Sequence, residues 1–87
     1  MEHRYFVCVG VGPDFRDAYL DSPRLHAAHS TTDPVAAQSF PHDEAAYAAA
    51  QIRDAFVVEV GEVLRAEIDV AEQTLARLQH ALKAMGA

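Results

Sequence analysis

The last quarter of the chain carries an unbroken repeat of apolar residues at alternating steps of three and four. The residues are Ile68, Ala71, Leu75, Leu78, Leu82 and Met85. Because an α-helix turns once about every 3.6 residues, this spacing places them along one narrow stripe. Such a stripe must be covered, so the sequence predicts that it packs either against the rest of its own domain or against a second chain.

Packing within the chain and packing against a second chain would bury the same residues, so the sequence does not decide between the two. The candidate seam of a homodimer comprises Leu75, Leu78, Leu82 and Met85. The positions beside the stripe offer no complementary charge pairs for a parallel coiled coil. These positions are Glu67, Glu72, Thr74, Gln79 and Ala81. We expect the helix to begin at Asp69, which forms a capping box with Glu72, and to stop at Gly86.

Several stretches of the chain have the composition of β-strands. Residues 5–11 are β-branched and aromatic and are followed by a Gly-Pro-Asp turn, which predicts the first strand. Residues 18–20 form a second extended piece, and residues 25–32 are a candidate for another strand. Strand character returns at residues 56–60, and residues 64–70 alternate apolar and charged side chains. Gly61 between these two stretches predicts a bulge or a hairpin.

A first helix is predicted from Asp43. Apolar residues recur there at steps of three and four: Ala45, Ala48, Ala49, Ile52 and Phe56. Asp43 and Glu44 suit the positive end of a helix dipole, and Pro41 suits the first turn. The element order β-β-α-β-α predicts an α+β fold with an antiparallel sheet of about three strands, two helices on one face and a long C-terminal helix. We expect one domain over residues 1–87.

Composition limits which cellular compartment and which class of function we expect for the protein. The 87 residues include one cysteine, Cys8, which predicts a buried thiol in a reducing cytoplasm. No apolar run approaches the length of a membrane helix, so we expect a soluble protein. Thirteen acidic residues against seven basic ones give a net charge of −6. This charge argues against direct binding of nucleic acid and permits docking on a basic protein surface.

The acidic residues concentrate in the second half of the chain. The candidate partner-binding residues are Asp54, Glu59, Glu62, Glu67, Asp69 and Glu72. Between residues 54 and 72 only Arg65 carries the opposite charge. The same residues would also serve as an ordinary solvated surface that keeps the protein soluble.

No motif in the sequence predicts catalysis or a cofactor. His26, His29 and His42 form the one cluster that resembles a metal-ligand set, but no defined carboxylate or cysteine accompanies them. Surface histidines in a loop explain them better. The Gly10-Val11-Gly12 turn is followed by Pro13 instead of a third glycine and a helix, which excludes a dinucleotide-binding turn. We therefore expect a protein without enzymatic activity.

The pattern of strands and turns over residues 5–64 resembles a known group of proteins. It is carried by Tyr5-Phe6-Val7, Ala18-Tyr19-Leu20-Asp21-Ser22, Thr32-Asp33-Pro34 with Ala37 and Phe40, Asp43-Glu44-Ala45, and Val57-Val58-Glu59-Val60. It is similar to small single-domain α+β proteins of bacteriophages and other mobile elements, among them anti-CRISPR-like inhibitors. The resemblance implies a non-enzymatic inhibitor that binds a bacterial immune complex. The long last helix departs from this pattern.

Three hypotheses follow. The first is a phage-type anti-defence inhibitor in the cytoplasm of a bacterial host, whose acidic residues occupy the basic nucleic-acid-binding surface of an immune nucleoprotein. The second is a structural or regulatory homodimer formed through the C-terminal helix. The third is a metal-binding protein that uses His26, His29 and His42.

Overall fold

The computed structural model describes residues 3–12, 15–23 and 29–86. The elements are, in chain order, β1 (Tyr5–Val11), β2 (Asp17–Leu20), β3 (Ser30–Thr31), α1 (His42–Gln51), β4 (Phe56–Glu59) and α2 (Val60–Ala84). The strands form one sheet in the order β3-β2-β1-β4, and every neighbouring pair is antiparallel. The predicted α+β class is confirmed. The sheet has four strands where about three were expected, because the short β3 pairs with β2.

β1 lies at the centre of the sheet and organises both of its neighbours. Its partner β4 pairs in continuous register from Tyr5 opposite Glu59 to Cys8 opposite Phe56. The pairing with β2 shifts between Cys8 and Gly10, which marks a β-bulge. Gly10 has a φ of 143°, a conformation that a residue with a side chain rarely adopts. The glycine is therefore required where the bulge bends the strand.

One face of the sheet is covered by α1. Val7 and Leu20 point to this face and are fully buried against Ala45 and Ala48 of the helix, with Phe40 beside them. Alanines on the contact side allow the helix backbone to approach the sheet closely. The helix begins at His42, one residue before the predicted Asp43, with Pro41 as its N-cap residue and Asp43 and Glu44 in its first turn as predicted. It ends at Gln51, so Ile52 and Phe56 of the predicted repeat lie outside it.

The opposite face of the sheet is covered by the first turns of α2. Phe6, Cys8 and Tyr19 point to this face, and Val60 and Val63 of α2 pack against them. The expectation that both helices lie on one face was therefore wrong. The physical reason is the alternation of side chains along β1, which makes both of its faces apolar and leaves each in need of a cover.

α2 begins at Val60 and not at Asp69 as predicted. The backbone N–H of Val60 donates to the carbonyl of Arg4 at 2.9 Å, so the residue just before β1 supplies the acceptor for the first turn of the helix. Residues 64–70 are helical and not a strand, and Gly61 lies in the first turn instead of a bulge or hairpin. The predicted end is confirmed, because the helix stops at Ala84 and Gly86 has a φ of 77°.

Burial of Cys8 and Tyr19 predicts a loss of stability in alkali. Burial is the main cause that raises the pKa of the Cys8 thiol from its usual 9.0 and of the Tyr19 phenol from its usual 10.0, and Asp17 adds to both. The folded chain therefore keeps protons that the unfolded chain releases, so stability is full below the unfolded pKa values and falls as pH rises through the folded ones. Thermal melts from neutral pH to about pH 11 should show Tm falling above about pH 9.

Two variants check the cause of this fall. Cys8→Ala and Tyr19→Phe each remove one of the two groups, so each should flatten part of the decline in Tm. A decline of unchanged size in both variants would show that other groups cause it.

Candidate functional site at the C-terminal helix

The apolar stripe of α2 is exposed to solvent. None of the 25 residues of the helix is buried, and every residue from Ile68 to Gly86 is exposed. The large apolar side chains on the stripe are exposed by 54% at Ile68, 55% at Leu75, 63% at Leu78, 56% at Leu82 and 82% at Met85. Of the two coverings that the sequence left open, packing within the chain is thus absent among the described residues.

The stripe is one residue longer than the sequence analysis predicted. Leu64 precedes Ile68 by four residues and continues the same alternation. The α2 seam is therefore Leu64, Ile68, Ala71, Leu75, Leu78, Leu82 and Met85. From Leu64 to Met85 it covers about three heptads and about 30 Å of helix. Leu64 was missed because residues 64–70 alternate and were interpreted as a strand.

The base of α2 is fixed to the body of the protein and its remainder extends beyond it. Val60 and Val63 pack on the sheet, and Nη2 of Arg16 lies 2.9 Å from both carboxylate oxygens of Glu67. Glu67 is the last α2 residue that forms a described hydrogen bond or ion pair outside the helix, and every residue after it up to Ala84 is exposed. The 17 residues from Ile68 to Ala84 therefore project by about 25 Å at about 1.5 Å per residue.

A groove lies at the base of the seam. Its volume is about 610 Å³, and its lining residues are Arg16, Thr32, Asp33, Pro34, Val35, Leu64, Glu67, Ile68 and Ala71. One wall is the seam itself, and the other is the loop at residues 32–35. Val35 in this loop is 84% exposed. The groove therefore extends the exposed apolar surface of the helix onto the body of the protein.

The loop that forms the groove is held by short-range hydrogen bonds. The N–H of Asp33 donates to Oγ1 of Thr31 at 3.1 Å, and the N–H of Val35 donates to Oδ1 of Asp33 at 3.0 Å. Just after the loop, the N–H of Gln38 donates to the carbonyl of Leu20 at 2.8 Å and ties this part of the chain to β2. Asp33 thus acts as a turn residue through its side-chain oxygen.

The six candidate acidic residues do not share one surface. Asp54 lies in the turn before β4, whereas four of the six lie in α2, which follows β4: Glu62, Glu67, Asp69 and Glu72. Asp54 and these four residues therefore lie at opposite ends of that strand. Glu59 lies 3.7 Å from Nδ1 of His3 and 4.0 Å from Arg65, and Glu67 pairs with Arg16. Helical geometry places Glu62 and Asp69 together on the side of α2 opposite the seam, with Glu72 between that side and the seam.

The histidine hypothesis finds only part of its residues in the structure. His26 lies outside the described residues. His42 is the first residue of α1, and its ring meets the ring of Tyr5 edge to face at a centroid distance of 5.0 Å. Within residues 3–12, 15–23 and 29–86, no three His, Cys, Asp or Glu side chains gather in a manner that would hold a metal ion.

Two further findings bear on what the chain can be. In the described part of the chain, no helix combines the length and apolar character that crossing a membrane requires. Compared with models of protein families, with curated proteins and with solved structures, the chain matches none of them.

Proposed function

We propose that this chain is a non-enzymatic assembly module that forms a homodimer through the α2 seam. The observation that carries the proposal is the exposure of five large apolar side chains in helical register, each by more than half. Contiguous apolar surface of this extent on a small protein is typical of an interaction site. Burying a leucine fully is worth about 1.5–3 kcal/mol, so covering the seam supplies a substantial driving force.

The projecting helix itself supports the proposal. Helices in proteins owe most of their stability to the packing of an apolar face, and an unsupported helix of roughly 15 residues is marginal in water. The segment from Ile68 to Ala84 is of this length, and its apolar face is exposed. A partner on the seam would provide the missing packing.

A second copy of the chain is a partner that the charges beside the seam permit. Glu67 and Glu72 flank the first part of the seam, whereas residues 73–86 carry no acidic residue. Two copies can therefore cover each other's seams without bringing these carboxylates together. A two-fold interface joins the same surface of two chains, so it needs a surface that is compatible with itself in this way.

The test is the molar mass of the protein in solution. The chain has a mass of 9.5 kDa, so light scattering on a size-exclusion column should give twice 9.5, or 19 kDa, at high protein concentration. Helix content measured by circular dichroism should fall on dilution, as the dimer dissociates and the projecting helix loses its support. A mass of 9.5 kDa at every concentration up to about 1 mM, a weak limit for a specific complex, would contradict the proposal.

A second candidate function rests on the acidic side of α2. Glu62, Asp69 and Glu72 are exposed and form no ion pair with another described residue. Glu62 and Asp69 lie opposite the seam and would remain accessible when it is covered. We propose as the alternative that the three residues bind the basic nucleic-acid-binding surface of a bacterial immune nucleoprotein, in the manner of an anti-CRISPR-like inhibitor. Such contacts raise the association rate and weaken as salt rises.

Charge reversal tests this candidate. Replacing Glu62, Asp69 and Glu72 together with Lys should abolish capture of a CRISPR-type nucleoprotein from a bacterial lysate at low salt. Replacing each with Gln should weaken capture less, because it removes attraction without adding repulsion. Mass spectrometry of the captured material provides the measurement. Failure of the unaltered protein to capture such a complex, or equal capture by the Lys variant, would remove the candidate.

A further inference from the structure

We propose that the two copies pack antiparallel, so that Leu82 and Met85 at the tip of each α2 lie in the groove at the base of the other. The inference rests on the proposed homodimer and adds its orientation and its second contact surface. Three features of the described residues lead to it: the charges beside the seam, the position of the loop at residues 32–35, and the apolar lining of the groove.

Charges beside the seam disfavour a parallel pair. In a parallel coiled coil, a residue just before one seam position faces the partner's residue five places further along. Glu67 of each chain would then face Glu72 of the other, which gives two like-charged contacts. The next such pair, Thr74 and Gln79, is neutral. A parallel pair therefore contains repulsion across its flanks, which the ion pair of Glu67 with Arg16 reduces but does not turn into attraction.

An antiparallel pair removes this repulsion. Glu67 and Glu72 of each helix then lie beside residues 73–86 of the other, which include no acidic residue. Arg77 and Lys83 lie on the outer side of the helix, away from the seam, and take no part in this contact. Charges beside an interface fix its register and orientation more than its affinity, so Glu67 and Glu72 favour the antiparallel orientation.

The loop at residues 32–35 favours the same orientation. It stands beside the seam at the level of Leu64, Ile68 and Ala71, where together they form the groove. In a parallel pair the two loops, with the sheets behind them, would lie at the same level and compete for space. In an antiparallel pair each loop meets only the partner's projecting helix, which is about 10 Å wide.

The groove suits the side chains that would enter it. Its apolar wall is formed by Pro34, Val35, Leu64, Ile68 and Ala71. Because a cavity of roughly 150 Å³ holds a benzene-sized group, a groove of about 610 Å³ has room for a leucine and a methionine side chain together. Methionine is flexible and fills irregular gaps well. Met85 is 82% exposed and thus free to do so.

Disulfide trapping tests the orientation. In a Cys8→Ala background, we would prepare Met85→Cys alone, Val35→Cys with Met85→Cys, and Gln73→Cys as a control on the outer side of α2. A disulfide requires Cα atoms within about 7 Å. With Met85 opposite residues 64–71 of the partner, the two tips lie roughly 20–30 Å apart. The double variant should therefore form covalent dimers under mild oxidation, and each single variant should not.

The outcomes test separately whether a dimer forms and how its two copies are oriented. Covalent dimers of Met85→Cys alone would show a parallel pair and overturn the inference while the proposed homodimer stands. A noncovalent dimer by light scattering that gives no disulfide in the double variant would overturn the docking of the tip in the groove. A monomer by light scattering would overturn the proposed function and this inference with it. Val35 and Met85 are both more than four-fifths exposed, so their replacement leaves the fold intact.

Discussion

Replacing Leu75 and Leu78 together with Asp is expected to convert the dimer into a monomer of 9.5 kDa. Each replacement removes an apolar side chain from the middle of the seam and adds a carboxylate that would be buried without a partner. Two positions in two chains place four such groups at one interface. A loss of at least roughly 4 kcal/mol follows, which weakens association by about 1,000-fold or more. Light scattering over a range of concentrations measures the effect.

The same variant should keep the body of the protein folded. Leu75 and Leu78 are 55% and 63% exposed, and neither packs against the core. Thermal melting of the sheet should therefore remain cooperative in the variant. The signal that should fall is helix content, because α2 loses the packing that supports its projecting part.

A matched control separates loss of the seam from added charge. Replacing Gln73 and His80 with Asp puts the same two carboxylates on the opposite side of the same helix. This control should remain a dimer of 19 kDa, twice the chain mass. Monomers from both variants would mean that net charge, rather than the seam, governs association. Dimers from both would show that the interface lies elsewhere.

Local patterns in the sequence predicted the elements whose signals are local. β1 was identified from its β-branched and aromatic residues, and α1 from the alanine repeat after Pro41. Gly86 marked the end of α2 because a left-handed conformation there needs a residue without a side chain. Each of these signals is contained within a few residues, so no knowledge of the tertiary structure was needed.

The start of α2 could not be predicted in this way. Residues 64–70 fit both a strand pattern and a helix pattern, because Leu64, Ile68 and Ala71 recur at four and three within the alternation. The choice is made by contacts distant in sequence. The carbonyl of Arg4 caps the first turn, and Val60 and Val63 cover Phe6 and Cys8 on the sheet. Propensity yields to tertiary packing of this kind.

Only part of the candidate site could be predicted, again because some of it depends on contacts distant in sequence. The periodicity of α2 alone identified Leu75, Leu78, Leu82 and Met85. The groove could not be found from the sequence, because it exists only where the loop around Val35 stands beside Ile68. The acidic segment looked continuous in sequence, but helical geometry and the ion pairs of Glu59 and Glu67 divide it.

Truncation of Leu20 to Ala is expected to lower the free energy of unfolding by about 2–5 kcal/mol. Leu20 is fully buried, and it packs with Val7, Phe40, Ala45 and Ala48 between the sheet and α1. Removing three carbon atoms leaves a cavity that the close-packed alanines of α1 cannot fill without moving the helix. A chain of 87 residues has a total stability of roughly 4–13 kcal/mol, so the loss approaches unfolding. Urea denaturation followed by circular dichroism measures it.

The same truncation at Leu75 provides the matched control and separates the two roles of leucine in this chain. Leu75 is 55% exposed in the single chain, so at a concentration where the protein is monomeric its replacement by Ala should cost less than about 1 kcal/mol. At dimer-forming concentrations the cost should grow, because association stabilises the folded state and Leu75→Ala weakens association. Leu20→Ala should cost the same at both concentrations. If the cost of Leu75→Ala instead matched that of Leu20→Ala when the protein is dilute, the α2 seam would be part of the chain's own core, and the exposed helix would have no need of a second copy.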